Sequence, residues 1–154
     1  MIEDKCIVIT GASSGIGAEL CRQLADNNRI LAIARRVERI PTHHNIIPLS
    51  CDVSSREGMD RIIDEAYSRL GNIDIMISNA GFAYYERWMD ADWEHMDSIF
   101  RTNVYAPSVW TSGTAPEKGL GELSVRHYSQ CNEFLCDARI CALQCNQICP
   151  ERLR

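Results

Sequence analysis

Residues 6–17 constrain the fold more than any other part of the sequence, because a short apolar run passes directly into three glycines. The run Ile-Val-Ile at 7–9 is typical of a buried parallel strand. Gly11, Gly15 and Gly17 follow it and open a segment with helical apolar spacing. Glycines at such a point remove side chains where the backbone turns tightly and approaches a pyrophosphate at a helix N-terminus. The sequence therefore predicts a dinucleotide-binding site here.

Apolar runs and amphipathic segments alternate along the chain as far as Pro107. Aliphatic runs predict strands at residues 6–10, 30–34, 46–49 and 73–77, of which the third is expected to be short or irregular because it contains Pro48. Apolar residues at helical spacing predict helices at residues 16–28, from Ser54 or Ser55 to Leu70, and at 92–104. Ile16, Leu20 and Leu24 are expected to form the apolar side of the first helix. Strands that alternate with helices favour a parallel sheet covered on both faces. We therefore predict an α/β fold with a Rossmann-type doubly wound parallel sheet.

The pattern changes after Pro107. From Ser108 the chain is rich in Ser, Gly, Thr and Cys, and no apolar run suited to a fifth strand is found. We therefore expect a nucleotide-binding domain at 1–107 and an irregular tail at 108–154. The sheet is expected to be truncated after about four strands, which leaves the fourth strand with an unpaired apolar edge and favours poor folding. With 154 residues, the chain is short for a complete doubly wound sheet with a substrate pocket.

Four motifs follow one another along residues 1–107. They are Thr10-Gly-x-x-x-Gly-x-Gly17, Cys51-Asp-Val53, Ser78-Asn-Ala-Gly81 and Asn103. In this order they resemble the cofactor-binding part of the short-chain dehydrogenase/reductase family. The resemblance implies that Asp52 and Val53 hold the adenine ring, and that Asn103 belongs to a catalytic tetrad and holds a water that relays protons to a lysine. It further implies that a nicotinamide cofactor is held by Thr10, Gly11, Ser13, Ser14, Gly15, Ile16, Gly17, Arg35, Arg36, Asp52, Val53, Asn79, Ala80 and Gly81.

Two arginines, Arg35 and Arg36, stand just past the second predicted strand. An acidic side chain at that point would bind both ribose hydroxyls of NAD, whereas two guanidinium groups suit a 2′-phosphate. The sequence therefore predicts NADP as the cofactor, with NAD as the second choice. The alternative is that the two arginines form a solvated basic turn.

The chain departs from the family pattern after Asn103. The family requires a Ser and a Tyr-x-x-x-Lys, in which the Tyr is the general acid/base and the Lys lowers its pKa. No Tyr-x-x-x-Lys occurs, and the only lysines are Lys5 and Lys118. The resemblance implies an NADP(H)-dependent oxidoreductase that moves hydride between the nicotinamide and a carbonyl or secondary alcohol carbon, but this chain is expected to be inactive. A non-catalytic nucleotide-binding fragment is the alternative.

The cysteines are unevenly distributed. Three of the eight lie among apolar neighbours, where they are expected to be core thiols, and five crowd the tail: Cys6, Cys21 and Cys51, then Cys131, Cys136, Cys141, Cys145 and Cys149. The tail cysteines could form a metal-binding or interaction module, since three of them would fall near one face of a helix. However, the Cys-x-x-Cys spacing of most zinc sites does not occur, so no metal site is predicted.

A displaced reading frame offers another explanation of the tail. A cysteine codon read one base later encodes only Ala or Val, so small apolar residues would be misread as thiols. The shifted codons of residues 129–134 permit Val-Asn-Val-Thr-Ser, which resembles the fifth strand and catalytic Ser of the family. The shifted codons that begin at Leu143 permit Tyr-Ser-Ala-Thr-Lys. We therefore hypothesise that the residues from about 108 onward are a frameshifted translation.

Charge and hydropathy exclude some classes of partner. The net charge of −5 is carried by residues 1–107, so nothing indicates nucleic acid. The first residues are polar and acidic, and no run of about 18 apolar residues follows. We expect a cytoplasmic protein without a membrane partner. The resemblance implies a small carbonyl or alcohol substrate and a homo-oligomeric parent.

Overall fold

The computed structural model describes residues 2–83, 92–111 and 124–127. Its strands are β1 (Cys6–Thr10), β2 (Arg29–Ala34), β3 (Ile46–Ser50), β4 (Ile75–Ser78) and β5 (Ser124–His127). They form one sheet in the order β3-β2-β1-β4-β5, and every neighbouring pair is parallel. The chain order reverses direction at β1, which lies at the centre of the sheet. The predicted α/β class with a Rossmann-type parallel sheet is confirmed.

Helices connect the strands. They are α1 (Gly15–Leu24), α2 (Arg56–Leu70), α3 (Trp93–Phe100) and α4 (Ala106–Thr111), with a short 3₁₀ turn at Val37–Arg39. A π-helical turn, Arg101–Tyr105, joins α3 directly to α4. The helix predicted at 92–104 therefore forms, but the widened turn interrupts it. Asp92 begins it as the N-cap, since its side chain accepts a hydrogen bond from the His95 backbone N–H at 2.8 Å.

Both faces of the sheet are buried, as the continuous apolar strands require. Side chains alternate between the faces along β1, so that Ile7 and Ile9 contact the layer that contains α1, while Val8 contacts the layer that contains α2. All three are fully buried. The register places Val8 between Leu31 of β2 and Met76 of β4, which continues the same apolar layer across the sheet.

The ends of α2 are fixed by specific contacts. The Ser55 hydroxyl accepts a hydrogen bond from the Gly58 backbone N–H at 3.0 Å, and Gly71 ends the helix in the left-handed conformation with φ of 82°. Arg29 of β2 donates to the backbone carbonyls of Arg69 and Leu70 at 2.6 and 3.2 Å. The carbonyls in the last turn of a helix receive no hydrogen bond from a backbone N–H within the helix. The Arg29 guanidinium donates to them and thereby connects the end of α2 to the sheet.

The predicted parallel sheet of about four strands forms, and a short fifth strand that the sequence did not predict adds to it beside β4. Residues Ser124–His127 pair with β4 along the register from Ile75 and Ser124 to Ser78 and His127. The sequence Ser-Val-Arg-His contains one apolar residue and therefore gives no apolar run. Pairing depends instead on backbone N–H and C=O groups, which all four residues possess. The edge of β4 is therefore paired.

Two local expectations also change. The helix predicted at 16–28 is α1, which ends at Leu24, and Ile16 is 37% exposed instead of packing in the core. Gly17, Ala18 and Cys21 form the buried side of that helix. The strand that contains Pro48 is regular, because β3 lies at the edge of the sheet, where a residue without a backbone N–H is tolerated.

Candidate functional site

A cleft of about 580 Å³ opens at the carboxyl ends of the parallel strands. This is the position at which open α/β sheets bind ligands. Segments that follow β1, β2, β3 and β4 meet there, together with the π-helical turn. Its lining consists of Gly11, Ser13, Ser14, Gly15, Ile16, Ile33, Ala34, Arg35, Arg36, Cys51, Asp52, Val53, Ser54, Ser78, Asn79, Ala80, Gly81, Phe82, Ala83, Ser98, Thr102, Asn103 and Pro107.

The structure brings most of the predicted cofactor residues to this one cleft. Every predicted residue except Thr10 and Gly17 lines it. Those two lie directly beneath the lining: Thr10 is 1% exposed and Gly17 is buried. The fourteen positions therefore share one location although they are spread from residue 10 to residue 81.

The glycines permit a close packing of backbone segments. A Cβ atom on Gly17 would lie 2.4 Å from the Gly11 carbonyl oxygen and 2.5 Å from Nδ2 of Asn79. Gly11 itself has φ of 70°, and a Cβ there would lie 2.8 Å from the same Nδ2 atom. Gly15 has φ of 54° and open space around it. Gly11 and Gly17 therefore allow the loop to pack closely against Asn79, while Gly15 leaves open space on the cleft side.

Thr10 and Asn79 join the ends of β1 and β4. The Thr10 hydroxyl accepts hydrogen bonds from the backbone N–H groups of Asn79 and Ala80, both at 3.0 Å. In the other direction, Nδ2 of Asn79 donates to the carbonyls of Thr10 and Gly11 at 3.1 and 3.4 Å. Both side chains are thus used for positioning. They fix the glycine loop against the turn after β4.

The N-terminus of α1 is available to an anion. Ser14 occupies the N-cap position, but its side chain makes no capping hydrogen bond, and the first turn carries no acidic residue. The backbone N–H groups of a first turn have no partner within the helix and carry partial positive charge. Ser13, Ser14 and Ile16 line the cleft beside them. This arrangement fits the pyrophosphate of a dinucleotide.

A polar cluster lies at the ends of β2 and β3. Arg35 and Arg36 are exposed and line the cleft. Oδ1 of Asp52 accepts hydrogen bonds from the Ser54 backbone N–H at 2.9 Å and from its hydroxyl at 2.8 Å. The bond from the Ser54 backbone lowers the pKa of the Asp52 carboxyl, and the Ser54 hydroxyl and the charge of Arg35 lower it further. Asp52 is therefore held as a carboxylate near a guanidinium.

Apolar contact in the cleft comes from the segment after β3. Val53 is 8% exposed and belongs to the core beneath the cleft, together with Ala80. The neighbouring Cys51 thiol donates to the Gly58 carbonyl at 3.2 Å, and burial raises the pKa of this thiol. A Cβ on Gly58 would lie 1.9 Å from the Asp52 carbonyl oxygen. The start of α2 therefore packs directly against the segment that carries Asp52 and Val53.

Asn103 lies in the π-helical turn and holds the segment after β4. Its Nδ2 donates to the Phe82 carbonyl at 2.7 Å, and its Oδ1 accepts from the Phe82 backbone N–H at 3.1 Å. A Cβ on Gly81 would lie 3.2 Å from the same Oδ1. The Asn103 amide thus binds protein backbone on both sides and positions residues 81–82 at the cleft wall.

Several lining residues were not predicted from the sequence. Ser78 precedes the turn after β4, and Ser98, Thr102 and Pro107 come from the helical segment. Their only sequence signal was position: Ser78 adjoins the Asn-Ala-Gly motif and Thr102 adjoins Asn103. Apolar periodicity identifies buried apolar faces, so it gives no signal for polar residues that line a cleft.

Residues 2–83, 92–111 and 124–127 contain no group of three His, Cys, Asp or Glu side chains placed together as a metal ion would require. The five tail cysteines lie outside the described residues. None of the helices in the described part of the chain is long and apolar enough to span a membrane.

Comparison with known proteins agrees with this geometry. The family model described as short chain dehydrogenase matches residues 5–121. An uncharacterized oxidoreductase of Bacillus subtilis is 31% identical over 137 residues, which cover 83% of this chain and 36% of the relative. A fatty acyl-CoA reductase of Mycobacterium tuberculosis is 33% identical over 138 residues, which cover 77% of this chain and 45% of the relative. The chain belongs to the short-chain dehydrogenase family.

Solved structures show the same fold. A 3-ketoacyl-(acyl-carrier-protein) reductase from Brucella melitensis, complexed with NADH, superposes with a TM-score of 0.72 at 25% identity, over 81% of this chain and 57% of that one. L-sorbose reductase from Gluconobacter frateurii, complexed with NADPH and L-sorbose, superposes with a TM-score of 0.66 at 30% identity. The superposition covers 75% of this chain and 48% of that one. The chain spans less than half the length of the two curated relatives named above.

Proposed function

We propose that this chain binds NADP(H) as the cofactor-binding part of an oxidoreductase. The observation that carries the proposal is the cleft at the strand ends, where the glycine loop, the uncapped N-terminus of α1 and the Asp52–Val53 segment meet. When bound, the nicotinamide supplies hydride transfer to or from a carbonyl or secondary alcohol carbon. The site residues of this chain bind and orient the dinucleotide. Two structural relatives that carry NADH and NADPH support a nicotinamide cofactor.

The preference for NADP over NAD rests on Arg35 and Arg36. Both are exposed at the end of β2 and line the cleft, where the adenosine ribose would lie. Two guanidinium groups can bind a 2′-phosphate through charge-assisted hydrogen bonds. No acidic residue precedes them in β2, whose sequence is Arg-Ile-Leu-Ala-Ile-Ala. Charge and position together therefore favour the phosphorylated ribose.

The test is a binding titration of the full chain with NADPH and NADH. Wild type is expected to bind NADPH more tightly. Arg36→Ala and Arg35→Ala are each expected to weaken NADPH binding about ten-fold and to leave NADH binding nearly unchanged. Arg39→Ala is the matched control, because Arg39 is exposed in the adjacent 3₁₀ turn but does not line the cleft. Equal affinity of wild type for the two cofactors would contradict the preference.

Binding without turnover is the second candidate. Asn103 is the one member of the family's catalytic tetrad that the chain contains in matching position, and Tyr-x-x-x-Lys does not occur. We propose that Asn103 would hold a proton-relay water in an active parent, a role additional to its contact with Phe82. The chain as written is then inactive. Oxidation of NADPH in the presence of small carbonyl compounds, measured beside the binding titration, separates an active enzyme from a chain that only binds the cofactor. Turnover would contradict the proposed inactivity, and binding without turnover would support it.

The frameshift remains our proposal for residues from about 108 onward, with 1–107 as the nucleotide-binding domain. It is supported by the codon sets that permit Tyr-Ser-Ala-Thr-Lys from Leu143. The encoding DNA tests it directly. A shifted frame that stays open and spells Ser and Tyr-x-x-x-Lys supports the proposal, and a shifted frame without these codons contradicts it. We further propose that the parent is a cytoplasmic homo-oligomer that acts on a small carbonyl or alcohol.

A further inference from the structure

Two buried hydroxyls in the cleft have no partner among the residues that the structure describes. Ser78 is 5% exposed and Thr102 is 8% exposed, and both line the cleft. Within the described ranges, neither side-chain hydroxyl makes a hydrogen bond. Ser98 is a useful contrast, because it also lines the cleft but its hydroxyl donates to the His95 carbonyl at 2.8 Å. Most buried hydroxyls in proteins are hydrogen-bonded, so such a pair at a cleft points to a ligand.

Both residues border the part of the cleft that Val53 and Ala80 form. Ser78 lies two residues after Met76 in β4, so its side chain lies on the same face of the sheet as Met76. That face contacts Val53, Ala80 and, from the helical segment, Ala106. Thr102 precedes Ala106 by one helical turn. The two hydroxyls therefore flank the apolar surface that the adenine ring would contact.

The chemistry of the pair fits a purine base. A hydroxyl both donates and accepts hydrogen bonds, and its proton can rotate toward either kind of partner. Adenine presents ring nitrogens that accept and an amino group that donates, all in the plane of an apolar ring. We propose that Ser78 and Thr102 form hydrogen bonds with nitrogen atoms of the purine base of an adenine nucleotide. This inference rests on the proposed cofactor site and adds two binding residues to it.

The experiment titrates AMP into the full chain by calorimetry. Thr102→Val removes the hydroxyl and keeps the shape, and it is expected to weaken AMP binding about five-fold, whereas Thr102→Ser keeps the hydroxyl and is expected to retain most of the affinity. Ser78→Ala is expected to weaken AMP binding by a similar factor. Ribose 5-phosphate, which has no base, is expected to bind wild type and Thr102→Val equally. Thr42→Val is the control, since Thr42 is exposed outside the cleft.

Thermal unfolding of the nucleotide-free variants supplies a second readout. Because the Thr102 hydroxyl is buried and makes no hydrogen bond within the described residues, its removal is expected to leave Tm unchanged or to raise it. A clear fall in Tm relative to Thr42→Val would show a structural role and overturn the proposal. The proposal would also be overturned if Thr102→Val lost affinity for AMP and ribose 5-phosphate equally, or lost no affinity for AMP. If the proposal is overturned in this way but wild type still binds AMP, the proposed cofactor site is still supported. If wild type binds no adenine nucleotide, both the cofactor site and the roles of Ser78 and Thr102 are contradicted.

Discussion

The side-chain amide of Asn103 binds both backbone polar groups of Phe82, donating to its carbonyl at 2.7 Å and accepting from its N–H at 3.1 Å. The two residues are 21 positions apart in the sequence. The contact joins the π-helical turn to the segment that leaves β4, and thereby sets one wall of the cleft. A side chain that resembles a catalytic group is therefore also a part of the framework of this domain.

Asn103→Ala is expected to destabilise the fold. It leaves two partly buried backbone groups of Phe82 without these bonds, and we expect a loss of about 2 kcal/mol in the free energy of unfolding. Urea denaturation of the full chain measures it. Asn27→Ala is the control, because Asn27 is exposed and lies just before β2, at the end of the sheet opposite to the cleft. If Asn103 served only to hold a water, the two variants would have the same stability.

Gly17→Ala is expected to cost about 3 kcal/mol of stability. Its Cβ would lie 2.4 Å from the Gly11 carbonyl oxygen, a backbone atom that cannot move without breaking the contact between β1 and the turn after β4. Alanine otherwise stabilises a helix by about 1 kcal/mol relative to glycine, so the expected sign is opposite to helix propensity. Denaturant midpoints measure the change.

Gly15→Ala is the matched control for this prediction. Gly15 has φ of 54°, but no heavy atom lies within 4 Å of the position that an added methyl group would occupy, so only the left-handed backbone opposes the substitution. That conformation costs about 1–2 kcal/mol for an L-residue. A Gly17→Ala variant no less stable than Gly15→Ala would show that the glycine loop and Asn79 are not packed as described.

The sequence predicted the glycine loop well because the physical requirement is local. Gly11, Gly15 and Gly17 lie within seven residues of one another. The strand before them and the helix after them can be identified from apolar spacing. The class of fold and the first four strands, β1 to β4, follow from the same periodicity. Contacts that form only by tertiary packing were harder to predict. The sequence placed Asn79 in a turn, but it could not predict the hydrogen bonds of the Asn79 amide to Thr10 and Gly11, because they depend on the neighbouring strand.

Other features could not be read from periodicity at all. Ser78 and Thr102 are polar residues in apolar surroundings, and their place in the cleft follows from the packing of the helical segment on β4. Ile16 matched the apolar stripe of a helix, yet it faces the cleft because α1 begins just before it. The fifth strand depends on backbone pairing rather than on side-chain pattern.

Asp52 is expected to contribute a pH-dependent part of the stability. Hydrogen bonds from Ser54 lower the pKa of its carboxyl in the folded state, so the charged form is favoured by folding. The contribution is fully present above the pKa of the unfolded chain, about 3.9, and is lost as the pH falls through the lower folded value. Asp52→Asn is therefore expected to be less stable than wild type at pH values of about 6.

The difference between wild type and Asp52→Asn is expected to shrink as the pH falls below about 4. Urea titrations at a series of pH values measure it. Asp60→Asn is the control for loss of one carboxylate, since Asp60 is exposed on α2 and its Oδ2 lies 3.9 Å from Nε of Arg56. A difference that grows on acidification would mean that the folded state favours the protonated carboxyl, contrary to the contacts with Ser54.

The thiol of Cys21 is expected to be unreactive in the folded protein. The residue is fully buried where α1 packs on the sheet, and burial raises the pKa of the thiol to about 11. At a pH of about 8 the reactive thiolate is therefore scarce, and the reagent has no access to it. Alkylation by iodoacetamide, followed by mass spectrometry of the Cys21 peptide, is expected to be slow in buffer and to accelerate through the urea unfolding transition.

Cys6 serves as the internal reference, because it is only partly buried and lies at the start of β1. It is expected to be alkylated faster than Cys21 under native conditions. Equal rates in buffer would mean that α1 leaves the sheet more readily than the rest of the domain unfolds. Since the N-terminus of α1 forms the proposed pyrophosphate site, NADPH would then be expected to slow the alkylation of Cys21, which links this measurement to cofactor binding.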